Sequence, residues 1–582
     1  MRSLTIFAFL MATTSLASAA SNESFIGQIG STNNAVVGQE KGNNTQGTIQ
    51  AGKNNQSVTS QVGPSSGSNS NKSGTVQFGV QNNALVGQTG GNNTQGTIQG
   101  GVENKAVTSQ SGATGAKTNN SGTAQFGYKN DSLVGQTGGN NDSTTLQVGG
   151  KNKSTTGQQT NTTNAGQNDS TTAQFGWGNN ATTSQISNGG ADGSPSSSKP
   201  GGKGGDNTSG ILQSGYSNTA LVGQNSVGTG NGSGAKAGVD NNSGVVQFGG
   251  KNYASVSQDG QRKGSDTTLS NDSFVGQFGW NNNALVGQVG GNNTQGTLQF
   301  GAHNKATTGQ SATDTGGTNG AFTLQGGNGN EATTSQITNG KTGTGVTAIF
   351  GSQAGGNNSA ATLQFGSGNK AATGQDASAI SGPPVVIGGF PVGTPAYPGV
   401  DNNALTLQVG KGNIATTSQS GGSLSVLPAS NNSAVAQFGV QNTATVGQLN
   451  GGNAQGTIQA GYKNNATTGQ TTNASSLLPK QNAALTFQAG ANNTAVTSQS
   501  IANPLNVGLN GSMIAQIGKG NTATVGQSDT GLQPMIGANL QATVQVGNGN
   551  TATTSQLASA AVSNTSVTAQ FGSHNTATVV QK

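Results

Sequence analysis

Small or apolar side chains alternate with polar ones in short runs along this chain, and the runs recur many times. In the segment 71–88, NKSGTVQFGVQNNALVGQ, every second position carries a small or β-branched side chain, and each such run ends in Gln. Alternation of this kind is typical of a β-strand whose side chains point to opposite faces of a sheet. The run occurs twice, 11 residues apart. We expect each half to be one strand of about five residues plus a turn.

The segment is one copy of a longer repeat, N-x5-Q-x-G-x2-N-x-[A/S]-x3-Q, which occurs twenty times without a mismatch. Its central glutamine stands at Gln28, Gln50, Gln77, Gln99, Gln125, Gln147, Gln174, Gln213, Gln247, Gln277, Gln299, Gln325, Gln364, Gln408, Gln437, Gln459, Gln488, Gln516, Gln545 and Gln570. Repeats at fixed spacing predict stacked, equivalent units. The predicted fold is all-β: a two-sheet β-solenoid with cross-β stacking over residues 21–582, with one rung per repeat and about twenty rungs.

Alternation also predicts which side chains face the space between the two sheets. Thr75 and Gln77 fall on one face of the first strand, and Val86 and Gln88 on one face of the second; we assign these faces to the interior. Identical Gln or Asn side chains stacked in register can satisfy each other's amides up the column. The Asn of each turn also suits a left-handed or turn conformation, and Gly79 a tight bend. The predicted ladder residues include Asn22, Gln28, Asn33, Gln39, Asn71, Gln77, Asn82, Gln88, Asn564, Gln570, Asn575 and Gln581.

The other face of the first strand is apolar, and nine repeats carry Phe directly after the central Gln. These are Phe78, Phe126, Phe175, Phe248, Phe278, Phe300, Phe365, Phe438 and Phe571. The matching positions of the second strand are smaller or polar, such as Ser60 and Gly87. We therefore predict one apolar and one polar outer surface, the apolar one being an interaction site. The opposite arrangement, with Phe in the core, stays open at this point.

The turn inside each repeat has constant length and collects cations and aromatic residues. Stacking would align them into a ridge that includes Lys53, Lys129, Lys151, Trp177, Lys251, Trp280, Lys463 and Lys519. The ridge is either a solvated edge that keeps the protein soluble or a surface that adheres to anionic polymers or glycans. The turn between repeats accepts insertions instead, the longest at 187–207 and 376–400, the latter Pro-rich. Insertions at one edge become loops of a solenoid.

Residues 1–20 resemble a secretory signal peptide, with Arg2 before an apolar stretch and Ala17-Ser18-Ala19 as the cleavage signature. No later run is apolar enough to span a bilayer. We expect an exported protein that is not embedded in a membrane.

Composition changes the picture mainly by what it excludes. Gly accounts for 99 of 582 residues and charged residues for 7%, which would indicate disorder if the repeat were absent. There is no Cys, and the two His lie far apart, so no metal site, cofactor or catalytic cluster is expected. The acidic residues are scattered without a recurring pair for acid–base catalysis, so we expect no enzyme. The net charge of +6 is spread thinly, and specific nucleic-acid binding is not expected.

The repeat closely resembles the curlin repeat, S-x5-Q-x-G-x2-N-x-A-x3-Q, of curli amyloid subunits. The resemblance covers residues 22–581, with Asn in place of the leading Ser throughout. Curlin subunits typically have about five repeats, whereas this chain has twenty. The first repeat follows the predicted signal directly, so we do not expect the family's separate amino-terminal export segment.

The resemblance implies a subunit that self-assembles end to end into extracellular, cell-surface fibres of a Gram-negative bacterial biofilm. It also implies an outer-membrane secretion channel, a periplasmic chaperone and a minor curlin that nucleates growth. It assigns an assembly role to the ladders, here Gln28, Asn33 and Gln39 in the first repeat and Gln570, Asn575 and Gln581 in the last. Two alternatives stay open: a fibre nucleator, or a monomeric adhesin that binds glycans or ice, as Thr155, Thr182 and Thr307 would suggest.

Overall fold

The computed structural model contains only β-strands as regular elements in the residues it describes. These are residues 21–64, 69–112, 117–160, 166–188, 204–228, 238–261, 269–313, 317–342, 352–353, 355–381, 385–387, 390–393, 396–397, 399–421, 430–473, 480–502, 508–530, 537–559 and 562–582. The predicted signal peptide, 1–20, lies outside them, as do 189–203 of the first long insertion and eight of the 25 residues of the second. Within these residues no helix is long and apolar enough to cross a membrane.

Forty long strands alternate along the chain between two parallel sheets of twenty strands each. The first sheet contains β1 (Asn22–Ser31), β3 (Asn43–Lys53), β5 (Ser70–Val80), β7 (Asn93–Val102), β9 (Asn119–Tyr128), β11 (Asn141–Gly150), β13 (Asn168–Trp177), β15 (Asn207–Tyr216), β17 (Asp240–Gly250), β19 (Ser270–Trp280), β21 (Asn293–Ala302), β23 (Asn319–Asn328), β27 (Asn358–Ser367), β33 (Asp401–Lys411), β35 (Ser430–Val440), β37 (Asn453–Tyr462), β39 (Lys480–Ala491), β41 (Gly508–Lys519), β43 (Gly537–Asn548) and β45 (Ser563–Ser573).

The second sheet contains β2 (Asn34–Glu40), β4 (Gln56–Val62), β6 (Asn83–Thr89), β8 (Lys105–Gly112), β10 (Asp131–Gly138), β12 (Lys153–Thr160), β14 (Asn180–Asn188), β16 (Thr219–Val227), β18 (Tyr253–Gln261), β20 (Asn283–Gly290), β22 (Lys305–Ala312), β24 (Glu331–Thr338), β28 (Lys370–Asp376), β34 (Ile414–Ser420), β36 (Thr443–Leu449), β38 (Asn465–Thr472), β40 (Thr494–Ile501), β42 (Thr522–Asp529), β44 (Thr551–Ala558) and β46 (Thr576–Gln581). Short antiparallel pairs in the insertions are formed by β25 (Lys341–Thr342), β26 (Ser352–Gln353), β29 (Ile380–Ser381), β30 (Val385–Ile387), β31 (Phe390–Gly393) and β32 (Ala396–Tyr397).

Each repeat is therefore one rung with one strand in each sheet, as the sequence predicts for a β-solenoid. We number the rungs 1 to 20, from central Gln28 to central Gln570. Two compact units are present: 1–161 with 167–178, and 162–166 with 179–582. Unit 1 holds rungs 1–6 and the first strand of rung 7; unit 2 holds the second strand of rung 7 and rungs 8–20.

The expected strand length of about five residues is wrong. First-sheet strands have 10 to 12 residues and second-sheet strands 6 to 9. Pairing extends through the Asn and Gly positions because each pairs with its equivalent on the next rung. In β5 and β7, for example, the register joins Asn71 to Asn93, Gln77 to Gln99 and Gly79 to Gly101.

The interior is narrow and lined by small side chains and amides. Thr75, Gln77 and Gln88 are each at most 1% exposed, and Val86 is 4% exposed. The apolar residues that fill the space are Ala and Val almost throughout, as in rungs 7–10. In the described residues, hydrogen-bonded rungs thus hold together a core that contains few large apolar side chains.

In the fixed turn the Asn of the repeat lies in the turn, and the left-handed conformation belongs to the residue before it. Asn82 has no positive φ; the residue before it, Gln81, has φ 58°. Gly79 has φ 111°, and a Cβ there would lie 2.1 Å from the carbonyl oxygen of Gly101 on the next rung. Only Gly therefore fits position 79, as the tight bend requires, while Asn82 is kept for its side-chain contacts.

Candidate functional site

In unit 1 the central glutamines form a single hydrogen-bonded file. Gln28 Nε2 donates to Gln50 Oε1 at 2.7 Å, and the pattern continues to Gln77 at 2.7 Å. The file extends through Gln99, Gln125, Gln147 and Gln174 at 2.7 to 2.8 Å. A second file on the other sheet runs from Gln39 through Gln61, Gln88, Gln110 and Gln136 to Gln158.

Unit 2 repeats both files over more rungs. The first-sheet file joins Gln213, Gln247, Gln277, Gln299, Gln325, Gln364, Gln408, Gln437, Gln459, Gln488, Gln516, Gln545 and Gln570. The second-sheet file ends with Gln556 Nε2 donating to Gln581 Oε1 at 2.6 Å. In both units the Gln–Gln bonds of the two files all donate toward the rung that follows in the chain.

The second N–H of each Gln amide ties the two sheets together. Gln77 Nε2 donates to the backbone oxygen of Gln56, on the second sheet one rung earlier, at 2.9 Å. Gln88 Nε2 donates to the backbone oxygen of Lys72, on the first sheet of its own rung, at 3.0 Å. Each amide thus bonds to neighbouring rungs and to the opposite sheet, so its burial costs little.

The asparagine files have the opposite polarity. Asn71 Nδ2 donates to Asn44 Oδ1 at 3.0 Å, toward the earlier rung. At the fixed turn, both the backbone N–H and Nδ2 of Asn82 donate to Asn55 Oδ1 at 3.1 Å. Asn82 also donates to the backbone oxygen of Phe78, across its own turn. Gln and Asn files therefore run antiparallel in hydrogen-bond direction.

The polarity leaves different groups at the two terminal rungs of the described chain. On rung 1, no Gln of the described residues donates to Oε1 of Gln28 or Gln39. On rung 20, no described Gln accepts from Gln570 or Gln581, whose Nε2 atoms donate only to backbone oxygens. Asn564 and Asn575 of rung 20 donate to rung 19 but, among the described residues, receive no Asn donor. Rung 20 offers Gln donors and Asn acceptors, and rung 1 offers Gln acceptors.

The phenylalanines lie on the outer surface of the first sheet and not in the core. Eight of the nine are 37 to 70% exposed, and Phe278 is half-buried between Phe248 and Phe300. Its ring stacks on theirs at centroid distances of 5.5 and 5.0 Å. The exposed eight are Phe78, Phe126, Phe175, Phe248, Phe300, Phe365, Phe438 and Phe571.

A further apolar column, missed by the sequence reasoning, stands three residues before the central Gln. Exposed members in unit 2 are Phe274, Phe322, Leu405, Leu485, Met513 and Val567. The signal was present in the alternation, but this column is Gly in rungs 2–5, and apart from Phe25 of rung 1 it carries large apolar side chains only from rung 10 onward. A shallow groove of 780 Å³ follows it along rungs 13–20. The outer second sheet is instead lined by hydroxyl groups, such as those of Thr524 and Thr553 on neighbouring rungs.

The predicted ridge contains cation–aromatic pairs between neighbouring rungs. In unit 1, Lys151 Nζ lies 5.4 Å from the Trp177 ring centroid, and Trp177 stacks on Tyr128 at 6.2 Å. Tyr128 and an ion pair with Glu103, 3.0 Å away, raise the pKa of Lys129.

In unit 2, Lys251 Nζ lies 5.2 Å from the Trp280 ring, and that ring covers Gly250, where a Cβ would lie 2.1 Å from it. Lys463 is 4.9 Å from the Tyr462 ring. Lys53 and Lys519 are exposed, and within the described residues neither contacts a ring.

Titratable groups form few clusters. The described residues contain no group of three or more His, Asp or Glu side chains that could hold a metal ion. Lys480 at the start of β39 is buried beside Asp529 of β42. Burial lowers the pKa of Lys480 to about 8, although the charge of Asp529 acts in the opposite direction.

Comparison with known proteins adds no identity. The chain matches no protein-family model, and no curated protein matches it.

Proposed function

We propose that this protein is a structural subunit of extracellular, curlin-type functional amyloid fibres and that it assembles end to end with copies of itself. The observation that carries the proposal is the opposite polarity of the amide files. Gln570 and Gln581 of one copy can donate to Gln28 and Gln39 of the next, while Asn groups of that next copy donate back. A terminal rung also presents the unpaired backbone edge of a parallel sheet, which another strand can extend.

The resemblance of the repeats to curlin supports the biological setting. The signal-like residues 1–20 favour secretion, and a fibre at the surface of a Gram-negative cell would serve adhesion and biofilm matrix. An outer-membrane channel, a periplasmic chaperone and a nucleating minor curlin are the partners that this assignment implies.

Seeded growth of the purified mature chain tests the proposal. We expect a lag phase that sonicated fibres abolish, thioflavin binding, and a cross-β reflection near 4.7–4.8 Å. A mature chain that stays monomeric for days in the presence of seeds would contradict it.

A second candidate is a monomeric binding protein, favoured by the ridge. Lys251 with Trp280, and Lys151 with Trp177, each combine an aromatic surface with a cation, which suits an anionic polysaccharide. Few cations are present, so the aromatic surfaces would supply much of the contact, which suits the sugar rings of a polysaccharide better than a nucleic acid. Saturable binding of polygalacturonate by the monomer, lost in Trp280→Ala and kept in Phe438→Ala, would support this function. No binding at low salt would dismiss it.

A further inference from the structure

Rungs 11–20 carry an outer surface on the first sheet that has no charge. Each of these strands has four outward positions: five, three and one residues before the central Gln and one after it. None of the forty positions is charged, and only Thr294, Ser359, Asn403, Asn432 and Thr565 are polar. We call these forty positions the apolar face.

In unit 1 one of these four columns carries charge, while the other three are uncharged as in rungs 11–20. Five residues before the central Gln, unit 1 carries Glu23, Lys72, Asp142 and Asp169. The opposite surface of rungs 11–20 is also polar, with Thr467 and Thr524 among its exposed residues. The apolar face is thus restricted to one side of one part of the chain. Neither the stacking of rungs nor the amide files need it to be apolar.

The apolar face is uneven, with large side chains on some rungs next to small side chains on others. Leu485 and Met513 project from neighbouring rungs and are 47% and 40% exposed. Beside them, Ala460 and Ala489 form a low area between Phe438 and Ile517. Interdigitation of such a surface requires a partner with the same rung spacing, which a second copy of this chain provides.

We propose that the apolar face pairs with the apolar face of a second copy, so that two solenoids associate side by side. Ten rungs at about 4.8 Å and seven residues at about 3.3 Å give a footprint of roughly 1,000 Å² per copy. A stable interface buries about 800 Å² per partner and avoids charge at its centre. The apolar face meets both conditions. It has no cations to attract lipid headgroups.

Photo-crosslinking of single-cysteine variants tests the proposal, because the native chain contains no Cys. A benzophenone attached to the Met513→Cys variant reacts with any residue close to it. The crosslink therefore forms however the two copies are aligned along their length. We expect crosslinked dimers whose second site maps to the outward positions of rungs 11–20. The control Thr524→Cys labels the opposite surface of the same rung, and we expect at least five-fold less dimer from it. Equal yields, or Met513→Cys crosslinks that map elsewhere or to no second copy, would overturn the proposal.

Two double variants give an independent readout by electron microscopy. Leu485→Lys with Met513→Lys places cations on the apolar face at exposed sites, so that the fold is retained, and we expect single filaments where the native chain gives pairs. Val496→Lys with Thr524→Lys places them on the opposite surface of the same rungs, and we expect paired filaments to remain. Pairing that survives the first double variant would contradict the proposal.

The test is separable from that of the proposed fibre function. Lateral pairing depends on burial of the apolar face and not on end-to-end stacking. If the protein formed no fibres, light scattering and the Met513→Cys crosslink would still report soluble dimers. Fibres without that crosslink would remove the lateral interface and leave end-to-end assembly intact.

Discussion

At the scale of single residues, the stability of a rung depends on side chains that no globular core would contain in such number. Gln299 is fully buried, accepts from Gln277 at 2.8 Å and donates to Gln325 at 2.8 Å and to the backbone oxygen of Asn283 at 3.0 Å. Every polar atom of the amide is used. Removing this amide leaves its three buried partners without their hydrogen bond to residue 299.

Gln299→Leu should therefore destabilise unit 2 by about 2–4 kcal/mol, because each stranded buried group costs about 1–3 kcal/mol and some relax. Hydrogen exchange of β19, β21 and β23 measures the loss locally, as a repeat array need not unfold in two states. Gln56→Leu, on an exposed side chain, is the control and should change little. Equal protection of β19, β21 and β23 against hydrogen exchange in both variants would show that the amide file adds no stability.

Two glycines of rung 11 allow a matched test of how closely the backbones of neighbouring rungs approach. Gly301 has φ 100°, and a Cβ there would lie 2.2 Å from the carbonyl oxygen of Gly327, whereas Gly309 has nothing within 4 Å. Gly301→Ala should cost about 2 kcal/mol or more, while Gly309→Ala should be neutral or slightly stabilising. The denaturant midpoints of the two variants measure this difference. Similar midpoints would contradict the close approach of neighbouring rungs at Gly301.

Lys480 gives the fold a pH dependence with a defined sign. Its pKa of about 8 in the folded protein is below the ordinary 10.5, so between those values the unfolded chain binds more protons. The contribution of Lys480 to stability should rise from pH 8 to 10.5 by an amount on the order of 1 kcal/mol, given partial solvent screening, and should not change below pH 8. Lys480→Met should remove that rise in denaturant midpoints, whereas Lys519→Met, at an exposed site, should keep it. A native-like rise in Lys480→Met would contradict the assignment.

At the scale of the strand and the rung, repetition made the fold predictable. The twenty repeats and the alternation within them suffice to predict two sheets, and the structure has both. Strand length could not be predicted because Asn and Gly oppose strand formation by propensity. Here each pairs with its own equivalent, as Asn71 does with Asn93, and register overrides propensity.

The candidate sites were predictable to different degrees. Alternation places Gln77 and Phe78 on opposite faces of the strand but leaves open which face is the interior; the structure buries Gln77 and exposes Phe78. The polarity of the files does not, because it depends on which way each amide turns. The cation–aromatic contacts of Trp280 could not be predicted either, since they depend on the Gly that the neighbouring rung offers beneath the ring.

The terminal strand β45 offers a test of growth at one end. Gln570→Lys points a cation inward at an edge, a device by which natural sheets block further pairing. Because rung 20 is outermost among the described rungs, the fold should survive and elongation should slow at least ten-fold in a seeded assay. Thr578→Lys, at an exposed position on β46 of the same rung and outside the apolar face, should elongate at the native rate. Equal elongation of the two variants would argue against growth through rung 20.

At the scale of the whole molecule, the fibre that we propose would have two kinds of contact between copies. Amide files would continue from rung 20 of one copy to rung 1 of the next, and the apolar faces of rungs 11–20 would meet side by side. The first contact is polar and directional, so it sets the axis of growth. The second is apolar and lateral, so it sets how many filaments associate.

The most direct test is a helical reconstruction of the fibre by electron cryo-microscopy, at a resolution that places side chains. We predict that the file of central glutamines continues across each junction between copies, with Gln570 of each copy adjacent to Gln28 of the next at the ordinary rung spacing. A fibre in which these two glutamines lie apart, or in which rungs of different copies pair side to side through their backbones, would contradict the account.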